Sequence, residues 1–344
     1  MTRLICAVLL TIMLSGCASL GYYYQAFEGQ MQIWHRSRPI EQVIADQHTP
    51  EAVKERLALV LRIREFASAK LALPDNGSYR NYADLQRPYA LWNVFATTEF
   101  SVTPEEWCFP FAGCVGYRGY FSQTAAEKFA NNLKREGLDV FVSGVPAYST
   151  LGWFDDPVLN TVVGYPEAEL ARLIFHELAH QVVYVPGDTM FNESFAAAVE
   201  QDGVERWLAQ TGDKAQQAAF DLQQQRRATF IKLVLKYRDE LEALYETSTP
   251  DTEKRQKKAD TFAAMKEEYL TLKSSWDGYA GYDRFFAGQL NNARLVPVAT
   301  YSELVPGFRR LLASKGGDYK RFFAAVKALG AIPEEQRHAK LKES

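Results

Sequence analysis

Two histidines and a glutamate lie within the short stretch Phe175-His-Glu-Leu-Ala-His180. On a helix, His176 and His180 project from the same face one turn apart, which is the separation needed to share one tetrahedral zinc ion. Glu177 lies about 100° round the helix from His176, so it can reach a metal-bound water without ligating the ion. Zinc lowers the pKa of such a water, and the carboxylate can pass its proton to a leaving amine. The spacing therefore predicts a hydrolytic zinc site.

A further protein ligand is expected about a dozen residues on, in Phe191-Asn-Glu-Ser-Phe-Ala-Ala-Ala-Val-Glu200. Asn192 is a candidate N-cap for a second helix, which would put Glu193 in its first turn. The reversal at Pro186-Gly187-Asp188 can bring that turn back beside the two histidines. Glu200, two turns further, is a candidate for orienting a ligand imidazole. We predict one zinc ion per chain, and the alternative is a pair of histidines satisfied within the core.

The pairing of His-Glu-x-x-His with Asn-Glu-x-Phe-Ala resembles the gluzincin metallopeptidases, especially aminopeptidases whose third ligand lies in Asn-Glu-Gly-Phe-Ala. The resemblance implies that His176, His180 and Glu193 are ligands and that Glu177 is the general base. This chain departs from the larger pattern in two ways: the spacer before Glu193 is shorter, and the Gly-x-Met-Glu-Asn substrate strand is missing. The second departure leaves open whether the activity is that of an exopeptidase.

The first residues are typical of an export signal. Arg3 precedes an apolar run and then Leu14-Ser-Gly-Cys17, and the run is too short to span a bilayer. Leu-Ser-Gly-Cys resembles the lipobox of bacterial lipoproteins, which implies that residues 1–16 are removed and that Cys17 carries the lipid. The residue after the cysteine is Ala18 rather than Asp, which resembles lipoproteins that are sorted to the outer membrane. We therefore expect anchoring at the periplasmic face of that membrane. The alternative is an ordinary secretory signal.

Cys108 and Cys114 are the other cysteines that remain after processing, in a loop with Pro110 and Gly113. An oxidising compartment favours a disulfide between them. The alternative is a two-cysteine metal site, but no histidine lies near them in sequence. The remaining histidines, His35, His48 and His338, lack ligand-like spacing and are expected at the surface.

Four segments together resemble a family of bacterial lipoproteins described as "putative aminopeptidases". They are the lipobox, the Trp-Cys-Phe-Pro-x-Ala-Gly-Cys loop, Tyr-Ser-Thr-Leu-Gly-Trp-Phe-Asp-Asp-Pro and Phe-His-Glu-Leu-Ala-His. A gluzincin-like site usually also has a downstream tyrosine that stabilises the oxyanion. Tyr279, Tyr282 and Tyr301 are candidates, each with a packing role as the alternative. Asp155 or Asp156 could bind the α-ammonium group of a substrate, or could form a turn before Pro157.

The composition of the chain argues against nucleic acid as a partner. The chain has 344 residues, is 47% hydrophobic and carries a net charge of −3, so it has no basic surplus to attract nucleic acid. A peptide substrate and the membrane, through the N-terminal lipid, are the expected partners. Nothing in the sequence indicates the oligomeric state.

Hydrophobic patterning predicts the elements that position the site. We expect an α+β, zincin-like fold in which a small antiparallel sheet lies over the motif helix and a mostly helical lobe follows. Gly144 to Pro157 is predicted as an edge strand that could pair with a peptide. A helical segment is expected over 17–78, and a sheet of four or five strands over 79–165, interrupted by one helix near Thr124–Glu136. A helical lobe over 166–332 should contain the zinc site and a long helical hairpin. The tail over 333–344 is expected to be frayed.

The favoured function is a zinc-dependent aminopeptidase that uses a metal-bound water activated by Glu177. The alternatives are an envelope endopeptidase and a metal-bearing lipoprotein without turnover. Glu177 argues against the last, because a structural zinc site has no use for a base beside an open coordination position.

Overall fold

The computed structural model describes residues 21–109, 113–147, 149–211, 214–300 and 303–343. The fold is α+β and mostly helical, as the sequence predicted. Helices are α1 (21–36), α2 (Ile40–Ala45), α3 (Glu51–Leu71), α4 (Gln123–Arg135), α5 (Asn160–Val163), α6 (Glu167–His180), α7 (Thr189–Thr211), α8 (Lys214–Glu246), α9 (Asp251–Ser275), α10 (Asp283–Phe286), α11 (Asn292–Thr300), α12 (Val305–Ser314), α13 (Tyr319–Gly330) and α14 (Glu334–Glu343).

The strands form three small sheets rather than the single antiparallel sheet expected. They are β1 (Ser37–Pro39), β2 (Asn81–Ala83), β3 (Leu91–Thr97), β4 (Trp107–Phe109), β5 (Gly113–Val115), β6 (Arg118–Tyr120), β7 (Asp139–Val145) and β8 (Val158–Leu159). The orders are β1-β2-β8, β6-β3-β7 and β4-β5. β1 lies in the segment predicted to be helical, where Pro39 favours an extended Arg38. β2 pairs in parallel with β8, a distant partner that local patterning does not reveal.

The antiparallel sheet β6-β3-β7 has two different faces. Trp92, Val94 and Ala96 of its central strand pack with α4, which buries Ala126 and Ala130 against them. Successive side chains of a strand point to opposite faces. Leu91, Asn93 and Phe95 therefore lie on the face away from α4, towards the helical lobe.

The predicted edge strand over Gly144–Pro157 is corrected by the structure. β7 ends at Val145, and the next residue, Pro146, has no N–H to continue a ladder. Leu151 and Gly152 then adopt positive φ angles of 57° and 81°, which reverse the chain. Within this segment only Gly144 and Val145 belong to a strand, and the described residues 146–147 and 149–157 form a loop.

The helical lobe has the predicted architecture around the motif helix. α6 packs on α7, and α8 and α9 form the expected hairpin across Ser248-Thr249-Pro250. The predicted frayed tail is wrong for the described residues, because 334–343 form α14, which buries Arg337 and Leu341. No helix in the described part of the chain is both long and apolar enough to cross a membrane.

Candidate metal centre

Helix α6 carries the first half of the site. Pro166 at its N-cap position is extended, and Glu167 and Glu169 lie in the first turn, where carboxylates complement the helix dipole. Its apolar side chains, including Leu170, Ile174 and Leu178, are fully buried. His176, Glu177 and His180 occupy the last turn and a half. The helix ends at His180, before the reversal expected at Pro186-Gly187-Asp188.

Helix α7 carries the second half and begins earlier than predicted. The carboxylate of Asp188 accepts from the N–H of Phe191 at 3.0 Å, so Asp188 occupies the capping position expected of Asn192. Asn192 lies inside the helix, where its amide accepts from the N–H of Val185 and donates to the Val185 carbonyl, both at 2.8 Å. These two bonds hold the reversal against α7. Glu193 in the next position therefore lies beside the histidines of α6.

Three ligand atoms converge at the α6–α7 contact. Nε2 of His176 lies 3.2 Å from Nε2 of His180 and 3.2 Å from Oε2 of Glu193, and Nε2 of His180 lies 3.6 Å from the same oxygen. Tetrahedral zinc with bonds of 2.0–2.1 Å requires its ligand atoms to be separated by about 3.3 Å. The separations and the donor set both fit a zinc ion. Glu177 is not one of the three converging groups.

Glu200 lies behind His176, as the sequence suggested. Its Oε2 is 2.8 Å from Nδ1 of His176, and its side chain is only 1% exposed. The same carboxylate accepts from Arg172 at 3.0 Å and from Arg227 at 3.0 Å. A carboxylate of this kind fixes the tautomer and orientation of an imidazole. Here it orients the ring so that Nε2 of His176 lies at the other two converging atoms.

Burial and the neighbouring charges set the protonation of the cluster. Burial opposes ionisation of Glu193, but the two histidines outweigh it and lower the pKa of Glu193 to about 2. Burial likewise opposes charge on His176, and its hydrogen bonds to Glu193 and Glu200 outweigh this and raise its pKa to about 10. For Glu177 burial dominates and raises its pKa above the ordinary value. A raised pKa lets a carboxyl group gain and lose its proton nearer to neutral pH.

The cluster opens into a cavity of about 360 Å³ between α6, α7 and the face of the sheet that α4 does not cover. His176, Glu177, His180 and Glu193 contribute to its wall. The carboxylate of Glu177 and the three converging groups thus face the same space. The N-terminal helix also contributes, through Tyr22 and Ala26.

The chain has a clear place among known families. The model of the family described as "Putative aminopeptidase" matches residues 21–341. The chain belongs to this family. No curated protein and no solved structure matches it.

Two tyrosines of this member of the aminopeptidase family lie in the cavity wall and were missed by sequence reasoning. They are Tyr117, just before β6, and Tyr184, in the connection after α6. Burial, and then the charge of Glu193, raise the pKa of both phenols, so each keeps an O–H that can donate. No spacing in the sequence links either to the motif. Only the long-range arrangement of the chain, which places the sheet across the cavity from α6, brings Tyr117 into the cavity wall.

The tyrosines proposed from sequence lie elsewhere or outside the described residues. Tyr282 stacks on Phe230, with ring centroids 4.0 Å apart, and Arg226 lies over Tyr279. Neither contributes to the cavity wall. Both therefore have the packing role that was their alternative. Tyr301, like Cys17, lies outside the described residues.

The two aspartates proposed to bind an α-ammonium group do not line the cavity. Asp155 is exposed. Asp156 is buried, and its carboxylate accepts from the N–H of Thr150 at 2.8 Å and from the hydroxyl of Ser149 at 3.3 Å. Burial raises the pKa of Asp156 to about 6. Asp156 thus holds the 149–156 loop, the turn that was its alternative role.

The disulfide between Cys108 and Cys114 joins the hairpin β4–β5. The adjoining side chains of Phe109 and Val115 contribute to the cavity wall. The disulfide therefore supports one side of the candidate site.

A second acidic group, Asp188 with Glu334 and His338, could also hold a metal ion by its spacing. The carboxylate of Asp188, however, already accepts from the guanidinium of Arg337 at 3.1 Å and lies 3.0 Å from Nε2 of His338. It also caps α7. These contacts tie α14 to the start of α7, and they place the half-buried His338 against the carboxylate of Asp188 rather than free at the surface.

Proposed function

We propose that this chain is a zinc-dependent peptide hydrolase of the aminopeptidase type. The observation that carries the proposal is the convergence of His176, His180 and Glu193 on one point, with Glu177 beside them on the wall of the same cavity. A structural zinc site would be closed by a fourth protein ligand. Here the described residues offer three ligands and an open cavity instead.

Zinc bound to these residues would supply a Lewis acid that polarises a carbonyl and acidifies water. The chain itself supplies the proton transfer: Glu177 accepts a proton from the attacking water and returns it to the amine that leaves. The buried environment that raises the pKa of Glu177 suits this exchange. Glu200 holds His176 in place, and Tyr117 or Tyr184 supplies an O–H donor to the oxyanion.

The charge of the cavity favours an amino end over a carboxyl end of the peptide. Glu177 and Glu193 contribute carboxylates to the wall, and none of its described residues is lysine or arginine. An α-carboxylate would find no lysine or arginine to pair with among the described residues of the wall. The two carboxylates would offset the charge of a bound zinc ion, so an α-ammonium group would not be repelled. The cavity also lies at the small end of the range for ligand pockets, which suits a chain terminus.

The test uses purified protein loaded with zinc, beside the variant Glu177→Gln. We expect about one zinc ion per chain in both and hydrolysis of amino-acid anilides by the wild type alone. Blocked peptides should be spared. Cleavage of blocked peptides at internal bonds would favour an endopeptidase instead, and zinc binding without any hydrolysis would leave a metal-bearing lipoprotein. Wild-type rates in Glu177→Gln would refute the assigned base.

We further propose that the protein is anchored in the bacterial envelope by a lipid on Cys17, at the periplasmic face of the outer membrane. The helix that follows this position supports the proposal, because Tyr24 and Phe27 of α1 are 67% and 63% exposed and Tyr23 is also exposed. Aromatic side chains of this kind are enriched where protein meets the membrane interface. Since Tyr22 and Ala26 of the same helix line the cavity, the anchor would hold the site close to the bilayer surface.

A further inference from the structure

A buried amide on the central strand of the antiparallel sheet has an oxygen without a hydrogen-bond partner among the described residues. Asn93 lies on the side of β3 that faces the cavity and is 7% exposed. The oxygen in question is its Oδ1, which is itself buried. Asn93 also contributes to the wall of the cavity that contains His176, Glu177 and Glu193. An unpaired acceptor thus borders the space in which the proposed reaction takes place.

Such an amide weakens the fold, since an unsatisfied buried polar group destabilises a protein by about 1–3 kcal/mol. An apolar residue would pack there without that cost, as Leu91 and Phe95 do on either side of Asn93 on the same strand face. Buried polar groups without partners are uncommon and call for an explanation. A hydrogen bond to a ligand would provide one.

The neighbouring strand leaves room for such a ligand. Gly119 of β6 lies directly opposite Asn93. A β-carbon at this glycine would lie 3.3 Å from Oδ1 of Asn93, so any side chain there would crowd the amide. Gly119 lines the cavity as well. The glycine keeps the approach to the unpaired oxygen clear.

We propose that Oδ1 of Asn93 accepts a hydrogen bond from the α-ammonium group of the peptide's first residue. The inference rests on the proposed function and names the group that recognises the amino end. An acceptor without a donor selects an N–H group. The two carboxylates of the cavity offset the charge of a bound zinc ion, and the described wall has no lysine or arginine, so the wall admits an N–H group that is positively charged. Asn93 thereby takes the role that the sequence had assigned to Asp155 or Asp156.

The experiment measures binding without turnover, using two inhibitors that differ by one group. Leucine hydroxamate carries the α-amino group, and 4-methylpentanoic hydroxamate lacks it but binds metal in the same way. The dissociation constants of both are measured on zinc-loaded wild type and on three variants: Asn93→Leu, Asn93→Asp and Thr97→Val. Thr97 is the matched control, since it lies on the same face of β3 and is fully buried, yet does not line the cavity. Its hydroxyl likewise has no partner within the part of the chain that the structure describes.

We expect the wild type to prefer the amino compound by about tenfold or more, because hydrogen bonds to charged groups are among the stronger ones. Asn93→Leu should reduce this preference to about threefold or less, while its affinity for the desamino compound stays unchanged. Asn93→Asp should keep or increase the preference, and Thr97→Val should leave it as it was. The melting temperature of Asn93→Leu should not fall below that of the wild type, because the substitution removes an unpaired polar group.

Two results would overturn the subsite alone. The first is a preference for the amino compound that survives Asn93→Leu. The second is an equal loss of affinity for both compounds together with a lower melting temperature, which would indicate a structural role for Asn93. Failure of the proposed function gives a different result from failure of the subsite. Wild-type protein that takes up zinc but binds neither hydroxamate would overturn the active site and the subsite together.

Discussion

Glu200→Gln tests whether the carboxylate behind His176 contributes to metal binding. The side chain is almost fully buried and lies 2.8 Å from Nδ1 of the imidazole. Glutamine preserves the shape and one acceptor but removes the charge that favours a basic, correctly oriented imidazole. Loss of an outer partner weakens metal binding by about 10–100-fold. Because an acceptor remains, we expect the lower end, about tenfold, or about 1.4 kcal/mol.

The assay is a zinc titration in competition with a chelator of known affinity. Glu200 also accepts from Arg172 and Arg227, so the substitution disturbs the packing of charges in the lobe as well. Glu169→Gln is the matched control. Oε2 of Glu169 accepts from Nε of the same Arg172 at 2.8 Å, and Glu169 is not among the residues that converge on the metal position. We expect its zinc affinity to equal that of the wild type.

Either of two results would refute this role of Glu200. If Glu200→Gln binds zinc as tightly as the wild type, the contact between Glu200 and His176 does not contribute to zinc affinity. If Glu169→Gln weakens zinc binding equally, the effect passes through Arg172 and the lobe rather than through the imidazole. Thermal unfolding of both metal-free variants separates these cases from a general loss of stability.

Two further predictions concern the loop beside the cavity and the N-terminus. Asp156 has a pKa of about 6, raised by burial, so the folded protein holds this proton more tightly than the unfolded chain and stability falls as pH rises from about 4 to about 6. Asp156→Asn should therefore raise the free energy of unfolding, measured in urea, by up to about 3 kcal/mol at pH 8 and change it little at pH 4. The control Asp155→Asn should have little effect at either pH. An equal gain for Asp156→Asn at both pH values would contradict this. Cys17→Ser should abolish labelling by a fatty-acid analogue and release the protein from membranes, and persistent labelling of the variant would refute the lipid site.

Local patterns predicted the parts of the site that local forces determine. The spacing of His176 and His180 needs only a helix, and the buried apolar stripe and acidic first turn of α6 are both visible in the sequence. The hairpin of α8 and α9 is likewise marked by its apolar stripes and by the break at Ser248-Thr249-Pro250. These elements depend on neighbours a few residues away.

The start of α7 shows where such reasoning fails. Asp188 and Asn192 are both good capping residues, and the sequence does not say which one caps. Asn192 loses that role because its amide makes two hydrogen bonds to the backbone of Val185. This pairing exists only once the chain has reversed. The shift leaves the predicted ligand Glu193 in reach of the histidines, because Asn192 itself holds the reversal in place.

The sheet illustrates a second limit, because the side chains of β3 divide by face. Alternation along the strand is visible in the sequence, but which face meets the site depends on where α4 packs. Since α4 covers Trp92 and Val94, the opposite face is left for the helical lobe, and Asn93 becomes part of the cavity. Tyr117, just before the adjacent strand β6, lines the same space. The motif helix thus predicts the chemistry from sequence, whereas the groups proposed to recognise the substrate emerge only from long-range packing.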